Sequence, residues 1–305
     1  MKTQTSATLA WGGVLLAGVL WGVGALVAQS VMAGGMAPYS LSLARFALGL
    51  PLLWWWHWRQ LASAPHTARW RRLPLRGRAL VVGTGLAMAL NVTSWFIAVS
   101  YIGAALPTVI SICCAPVIVA LLSVLRGYER ASGRLLLALG LALAGVGLIA
   151  MPGEALSLPV HYAAGLAWSF ASAGLYSLVV LGNARMPAQV PAVTASAWSM
   201  SAAALLMLAL AAWQGITWPQ HMIAWMQVGY TGIFTTSIAY LAFAWGARRL
   251  SPTATVVGTL VEPLVAAVAA AWLFGDVLTV WQGVGALLLG AAMAVLARRA
   301  SGASH

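Results

Sequence analysis

Apolar residues occur in ten long runs along the chain, separated by short segments that carry most of the charged side chains. A run of roughly 20 apolar residues is long enough to cross the hydrocarbon core of a bilayer as a helix. Such runs cover residues 9–32, 39–58, 79–100, 105–125, 135–151, 162–182, 192–213, 222–246, 252–273 and 279–297. The pattern predicts an all-α integral membrane protein with ten transmembrane helices.

The two halves of the chain are related by a constant offset of 147 residues, the distance from Trp21 to Trp168. The offset pairs Ala17-Gly18-x-x-Trp21 with Ala164-Gly165-x-x-Trp168, Phe96 with Phe243, Thr108-Val109 with Thr255-Val256, Pro116 with Pro263 and Glu129 with Asp276. Because each half holds five helices, the second half must enter the membrane from the opposite side. We therefore expect two inverted five-helix repeats, at 9–151 and 162–297, a common plan of secondary transporters. Chance similarity between two Ala- and Leu-rich halves is the competing explanation.

Composition supports a membrane protein and restricts the chemistry available. Hydrophobic residues make up 62% of the chain and charged residues 7%, which excludes a soluble globular domain. Only four acidic residues occur, too few for a kinase-like or two-metal site: Glu129, Glu154, Glu262 and Asp276. The two cysteines, Cys113 and Cys114, are adjacent and form no spaced metal-binding pattern. We expect neither a metal nor a cofactor.

Basic residues lie on one side of the predicted topology. With the N-terminus placed inside, fifteen of the sixteen basic residues lie in cytoplasmic segments, and only Arg45 lies within a predicted span. The opposite loops, at 33–38, 101–104, 152–161, 214–221 and 274–278, contain none. By the positive-inside rule, this distribution predicts a multi-pass protein of a bacterial-type inner membrane with both termini in the cytoplasm.

The net charge of +12 invites a nucleic-acid interpretation, which the positions of the arginines disfavour. The richest basic segment, residues 59–78, follows the tryptophan-rich end of the second run (Trp54, Trp55, Trp56 and Trp58). Aromatic belts of this kind lie at membrane interfaces, and neighbouring arginines contact anionic headgroups. The expected partner is the lipid bilayer and not nucleic acid.

Two charged residues lie inside predicted spans. Glu262 is near the middle of the ninth run, where a charge costs about 2.5–3.5 kcal/mol on insertion scales and usually faces a cavity or a partner. Pro263 follows it directly and is expected to break the helix, as is Pro116 in the first half. Arg45 lies about 10 Å into the second helix at 1.5 Å per residue.

Each of these charges has a functional and a structural interpretation. Glu262 is a candidate for binding a substrate ammonium or a coupling proton; its alternative is a protonated carboxyl that joins two helices. Arg45 is a candidate for binding a substrate carboxylate; its alternative is an arginine that extends to the interface or holds helices together. Together they would offer opposite charges to a zwitterion.

Polar and aromatic side chains near mid-membrane complete the candidate site. They are Trp21, Asn91, Ser94, Trp95, Trp168, Ser172, Tyr176, Tyr240 and Trp245. Asn91 and Trp95, like Ser172 and Tyr176, are four residues apart and so share one helix face. For each of these side chains, packing between helices is the alternative role.

These features resemble the EamA-like members of the drug/metabolite transporter superfamily. The resemblance covers residues 10–297 and rests on the AG-x-x-W motif in each first helix, on Arg45-Phe46 in the second, and on the Pro-x12-acid ending of each fourth helix. The first copy departs from the pattern, with Gly127-Tyr128-Glu129 where the second has Gly275-Asp276. The resemblance implies a ten-helix inner-membrane carrier with a central cavity that exports amino acids or other small metabolites.

The predicted function is therefore secondary transport and not catalysis. We expect an inner-membrane exporter of amino acids or amino-acid-derived metabolites, opine-type metallophores included, working by alternating access. Protons are a candidate coupling ion, and monomer and homodimer both remain open. A membrane-embedded transferase acting on a lipid-linked substrate is the alternative, although it leaves the inverted repeat unexplained.

Overall fold

The protein is all-α in its computed structural model, which describes residues 2–61, 70, 73–102, 105–128, 130–149, 161–274 and 280–302. No strand occurs among these residues. Several residues of the sequence argument lie outside them, namely Arg69, Arg71, Arg72, Glu129, Glu154, Gly275 and Asp276. Glu262 is consequently the one acidic residue in the described part of the chain.

Twelve α-helices and one π-helical segment make up most of the described residues. They are α1 (Lys2–Ala33), α2 (Pro38–Leu61), α3 (Leu75–Ile102), α4 (Ala105–Leu125), α5 (Gly133–Ile149), α6 (Tyr162–Ala184), α7 (Ala192–Gln214), α8 (Met222–Tyr230), the π segment (Thr231–Ile238), α9 (Ala239–Ala247), α10 (Pro252–Thr259), α11 (Val261–Phe274) and α12 (Val280–Gly302). The π segment joins α8 to α9 directly, and only Leu260 separates α10 from α11. We call an uninterrupted or nearly uninterrupted series of helices a helical path. With α8, the π segment and α9 counted as one path and α10 and α11 as another, the described chain has ten helical paths, one for each apolar run.

Four helices are clearly long and apolar enough to cross a membrane. By length and composition, these are Ala7–Ala33 within α1, then α3, α6 and α7. Shorter apolar helical stretches occur at Cys114–Leu125, Gly133–Gly145, Pro252–Val265 and Gly283–Ala292. Both sets come from a search of the described residues only.

The ninth path is interrupted immediately before Glu262. The Leu260 amide donates to the carbonyl of Val257, three residues back, which tightens the last turn of α10. Pro263 has no amide hydrogen, so it cannot bond to the carbonyl of Thr259 four residues earlier. In contrast, α4 continues through Pro116, where a break is expected from the sequence. A single proline removes one hydrogen bond, and the remaining ladder of α4 is retained.

The eighth path contains the π segment, in which the backbone bonds to the fifth residue back and one extra residue is accommodated per turn. The hydroxyls of Thr235 and Thr236 both donate to the carbonyl of Thr231. These bonds help to satisfy the irregular backbone. They also place both hydroxyls on the side that faces α2.

The main helix contacts join the first half of the chain to the second. α3 packs along α6, and the α8–π–α9 path packs along α1. α2 packs on α7, and α5 packs on α12. The largest buried cluster lies between the halves and contains Phe46, Phe96, Met200, Tyr240 and Phe243.

Glycines on α1 permit close contact with the interrupted ninth path. A Cβ atom added at Gly22 would lie 2.6 Å from the carbonyl oxygen of Glu262, and one added at Gly18 would lie 2.5 Å from a methyl carbon of Val261. Both distances are shorter than real carbon contacts. Only glycine therefore lets α1 reach the backbone around the break.

Basic segments meet at one end of the molecule. The Arg185 guanidinium lies 4.6 Å from the ring centre of Tyr128, and Arg248 donates to the carbonyl of Val190. Leu250 shares a buried cluster with Leu135. We call this end, formed by residues 126–128, 130–135, 185–191 and 248–252, the basic face.

Candidate functional site

A cavity of about 130 Å³ lies between the two halves. Of the side chains expected to form the site, the cavity brings together Trp21, Arg45, Asn91, Trp95, Ser172, Tyr176 and Glu262. Its remaining wall contains Gly24, Ala25, Met88, Val92, Phe96, Ser111, Ala115, Thr235, Val256, Thr259 and Leu260. These residues come from helices of both halves. The wall is therefore mostly apolar, with a few polar groups and two charges.

Arg45 is held in place by neutral partners. Its Nε donates to Thr236 Oγ1 at 3.0 Å and its Nη2 donates to Thr235 Oγ1 at 3.0 Å. The guanidinium carbon lies 5.8 Å from the ring centre of Phe46 and 5.9 Å from that of Phe96. Arg45 is 8% exposed. A guanidinium has five N–H donors, so donors remain for a ligand after the two threonine bonds.

Close packing of α2 against the π segment fixes this arrangement. A Cβ added at Gly49 would lie 2.8 Å from the carbonyl oxygen of Gly232, and one added at Gly232 would lie 2.6 Å from Leu48 Cβ. Ser237 donates to the Gly49 carbonyl at 2.7 Å. Two facing glycines thus let the backbones approach, which brings Arg45 within reach of the threonine hydroxyls.

Glu262 lies in the first turn of α11, at the interruption of the ninth path. In the part of the chain that the structure describes, its carboxylate has no hydrogen bond and no ion pair. Arg45 lines the same cavity and lies near enough to attract it electrostatically. A carboxylate near the middle of a membrane span that accepts no hydrogen bond from the protein is costly, because polar groups away from water need compensation. The arrangement fits a carboxylate that is compensated by a ligand.

An aromatic and hydroxyl wall connects the two charges. Trp21 Nε1 donates to the carbonyl of Thr235 at 2.8 Å. The rings of Trp21 and Tyr176 meet edge to face at 6.5 Å, and the Tyr176 hydroxyl is 2.9 Å from Thr259 Oγ1. These contacts join α1, α6, the π segment and α10. They orient two aromatic rings toward the space between Arg45 and Glu262.

Polar groups of α3 and α6 form a further part of the wall. Ser172 Oγ donates to Asn91 Oδ1 at 2.9 Å, which fixes the side-chain amide of Asn91. The amide nitrogen of Asn91 has only a weak contact, at 3.9 Å, with the sulfur of Met88. An N–H donor therefore remains available to a molecule in the cavity.

Four expected site residues lie outside the cavity lining. Ser94 on α3 is buried, at 3% exposure. Trp168 on α6 is 38% exposed. It lies eight residues before Tyr176, and at 3.6 residues per turn this separation places the two side chains about 80° apart around the helix. Tyr240 is buried against Phe243 and accepts a hydrogen bond from Asn183 Nδ2 at 3.3 Å. Trp245 lies 4.0 Å under the guanidinium of Arg249 at the basic face.

Several lining residues were not anticipated. Thr235 and Thr259 were missed because a threonine in an apolar helix usually bonds to its own backbone. The pairing of Arg45 with two threonines depends on the π segment. The run from Thr231 to Ile238 contains only Gly232 as a helix-weakening residue, and glycine is frequent in membrane helices, so it does not predict a π segment. Phe96 was noted only as a repeat match. The sequence signal that could have identified these residues is their depth, because they lie on their helices near the level of Arg45 and Glu262.

Two comparisons with known proteins indicate a membrane transporter, and a third shows a shared fold. The model of the EamA-like transporter family matches residues 9–151 and again residues 163–298. The uncharacterized transporter YwfM of Bacillus subtilis (strain 168) is 29% identical over 283 residues, which cover 91% of this chain and 90% of that protein. A solved crystal structure superposes with a TM-score of 0.77 over 97% of this chain and 98% of its own, at 19% identity, and so shares the fold.

Proposed function

Because the chain belongs to the EamA-like transporter family, we propose that it is an inner-membrane secondary transporter that exports an amino acid or a small amino-acid-derived metabolite. The family and the Bacillus relative indicate a multi-pass membrane transporter rather than an enzyme. The substrate class and the direction are the proposal. One observation carries it: Arg45 and Glu262 bring opposite charges to the wall of the same cavity, and no direct hydrogen bond or salt bridge joins them.

The two charges suit the two ends of an amino acid. The free N–H donors of Arg45 are arranged for a carboxylate, which accepts charge-assisted hydrogen bonds. The Glu262 carboxylate is an acceptor for an ammonium group. Trp21 and Tyr176 lie in the cavity wall with Arg45 and Glu262, and they offer apolar surface and aromatic faces that attract a cation. A zwitterion bound in this way would compensate both charges at once.

The size of the cavity supports a small substrate. At about 30 Å³ per water molecule in the liquid, a cavity of about 130 Å³ holds only a few water molecules. A space of that size suits a small substrate. It favours single amino acids and similarly small derivatives over peptides and opine-type metallophores.

The helix contacts support an inverted repeat and alternating access. Exchanging the halves converts the packing of α3 on α6 into the packing of the α8–π–α9 path on α1, and both contacts are present. The same exchange maps the α2–α7 and α5–α12 pairs onto themselves. Two halves related in this way can exchange conformations, which moves the opening of a central site from one face to the other. We propose units at 9–151 and 162–297, with the basic face and both termini in the cytoplasm.

Glu262 also provides a route for coupling. The carboxylate can bind a substrate ammonium in one state and a proton in another. Export of substrate and entry of protons would then use the same group in turn. Its counterpart in the first half is Ala115, so only one such group lies in the cavity wall.

The experiment compares extracellular metabolites from cells that express wild type, Glu262→Gln or Trp168→Phe at matched membrane levels. Glutamine keeps the size of the side chain and removes its negative charge. We expect one class of small zwitterionic compounds to accumulate outside cells with wild type and Trp168→Phe, and to return to the level of the empty vector with Glu262→Gln. Identical supernatants from all strains would contradict the proposal.

A further inference from the structure

A second cleft opens at the basic face between α3, α4 and α6. Its volume is about 280 Å³. The walls are formed by Ala79, Leu80, Gly83, Thr84, Ala87, Leu122, Leu178, Leu181 and Gly182, and the rim by Arg126, Tyr128 and Arg185. It shares no lining residue with the central cavity.

The interior of the cleft is apolar and offers few free hydrogen-bonding groups. Thr84 is the one wall residue with a polar side chain, and its hydroxyl already donates to the carbonyl of Leu80 at 2.8 Å. At the floor, Gly182 lets α6 contact Thr84 directly. Leu178 on the wall is 53% exposed. Such a space suits a hydrocarbon chain and offers little to a polar metabolite.

The rim is basic and is positioned by the end of α4. Gly127 has a φ of 71°, and the amide of Tyr128 donates to the carbonyl of Ser123 at 2.8 Å while that of Gly127 donates to the carbonyl of Val124 at 3.0 Å. This pair of bonds is the usual glycine-terminated helix end. It turns Tyr128 back over α6, where Arg185 lies 4.6 Å from its ring centre.

We propose that this cleft binds one anionic phospholipid, with an acyl chain between α3, α4 and α6 and the phosphate between Arg126 and Arg185. The apolar interior and the basic rim match the two parts of such a lipid, and basic pockets between transmembrane helices commonly hold anionic headgroups. Both arginines are exposed at the rim, so their donors are accessible to a phosphate. The bound lipid would join the end of α4 to the end of α6.

The experiment measures thermal unfolding of the full-length purified protein in neutral detergent after addition of phosphatidylglycerol, phosphatidylcholine or glycerol 3-phosphate. We expect phosphatidylglycerol near saturation to raise the Tm by about 5 °C, since a bound ligand stabilises the folded state. Phosphatidylcholine should have a much smaller effect. Glycerol 3-phosphate, a headgroup without acyl chains, should have none.

Two variants test the parts of the site separately. The double variant Arg126→Gln/Arg185→Gln removes the rim charges and should abolish the rise in Tm caused by phosphatidylglycerol. The double variant Arg59→Gln/Arg134→Gln removes the same net charge elsewhere and should keep this rise. Gly83→Leu fills the cleft, since a Cβ there meets nothing within 4 Å, and should abolish the shift with all arginines present. Gly140→Leu, at an equally open glycine on α5, is its control.

Each outcome decides the proposal. Retention of the full shift in either cleft variant would overturn it, because binding would then be spread over the basic surface. An equal shift with glycerol 3-phosphate would overturn the acyl-chain site in favour of a free-phosphate site. An equal shift with phosphatidylcholine would overturn the role of the arginines. The proposal does not depend on the substrate of the central cavity.

Discussion

At the scale of single residues, the two charges in the cavity differ in how the protein compensates them. Arg45 has two threonine hydroxyls and two aromatic rings around it, whereas the Glu262 carboxylate accepts no hydrogen bond from the described residues and is attracted only electrostatically by Arg45. Arg45 is therefore already oriented before a ligand arrives. Glu262 is the group whose environment changes most when a cation binds beside it.

The geometry of Arg45 can be tested by retaining its charge. Arg45→Lys removes the planar fork that contacts Thr235 and Thr236 and offers a carboxylate one point of contact instead of two. Loss of one hydrogen bond to a charged group costs about 1.5–3 kcal/mol, so the substrate concentration for half-maximal transport should rise about tenfold to a hundredfold. Arg59→Lys, on the exposed end of α2, should leave it unchanged. An unaltered concentration dependence in Arg45→Lys would show that Arg45 has a structural role.

The two tryptophans related by the repeat provide a matched pair. Trp21 donates to the Thr235 carbonyl in the cavity wall, whereas Trp168 lies outside the lining. Trp21→Phe leaves that carbonyl without its donor, at a cost of about 1–3 kcal/mol. We expect transport to decrease several-fold in Trp21→Phe and to be unchanged in Trp168→Phe, measured at equal protein levels. If transport decreased in Trp168→Phe and not in Trp21→Phe, the substrate would pass along the surface that contains Trp168 and not through the cavity.

At the scale of helices, two irregular elements create the site. The interruption at Leu260 places Glu262 at the start of α11, and the π segment presents Thr235 and Thr236 to Arg45. Both elements belong to the second half of the chain. The first half contributes regular helices, including the unbroken α4.

The two prolines test whether the interruption is needed. Pro263→Ala restores an amide that can bond to the Thr259 carbonyl, and this favours a continuous ninth path. We expect transport to decrease several-fold, while the Tm stays equal or rises. Pro116→Ala, at the equivalent position of α4, should change transport little. If both variants transport like wild type, the interruption is not part of the mechanism.

Long apolar runs predicted the ten helical paths of the described chain, and the resemblance to EamA-like transporters is confirmed by the family match. Proline is a less specific signal, because the ninth path is interrupted beside Pro263 whereas α4 continues through Pro116. The π segment could not be foreseen, since its stability depends on contacts with α2. The orientation of Trp168 and Tyr240 depends on the rotation of each helix about its axis, which neighbouring helices determine. The same reason explains why Thr235 and Thr259 were missed.

At the scale of the whole molecule, the basic face gives the proposed topology a direct test. Single cysteines at Ala131 and Gln189 lie at that face, and cysteines at Ala33 and Gln220 lie in the opposite turns, in a background with Cys113 and Cys114 replaced by serine. A membrane-impermeant maleimide applied to intact cells whose outer membrane has been made permeable should label only Ala33→Cys and Gln220→Cys. Labelling of Ala131→Cys and Gln189→Cys instead would reverse the orientation. Labelling of one position from each pair would contradict the inverted repeat.

The central claim, that a small zwitterion crosses this protein through the cavity between Arg45 and Glu262, is tested most directly with purified protein in liposomes. Liposomes loaded with a mixture of labelled amino acids would contain wild type, Glu262→Gln, Trp168→Phe or no protein, and release would be followed over time. We predict that wild type and Trp168→Phe release at least one amino acid well above the protein-free rate, and that Glu262→Gln does not. Release by Glu262→Gln at the wild-type rate, or no amino acid released by wild type, would contradict the account.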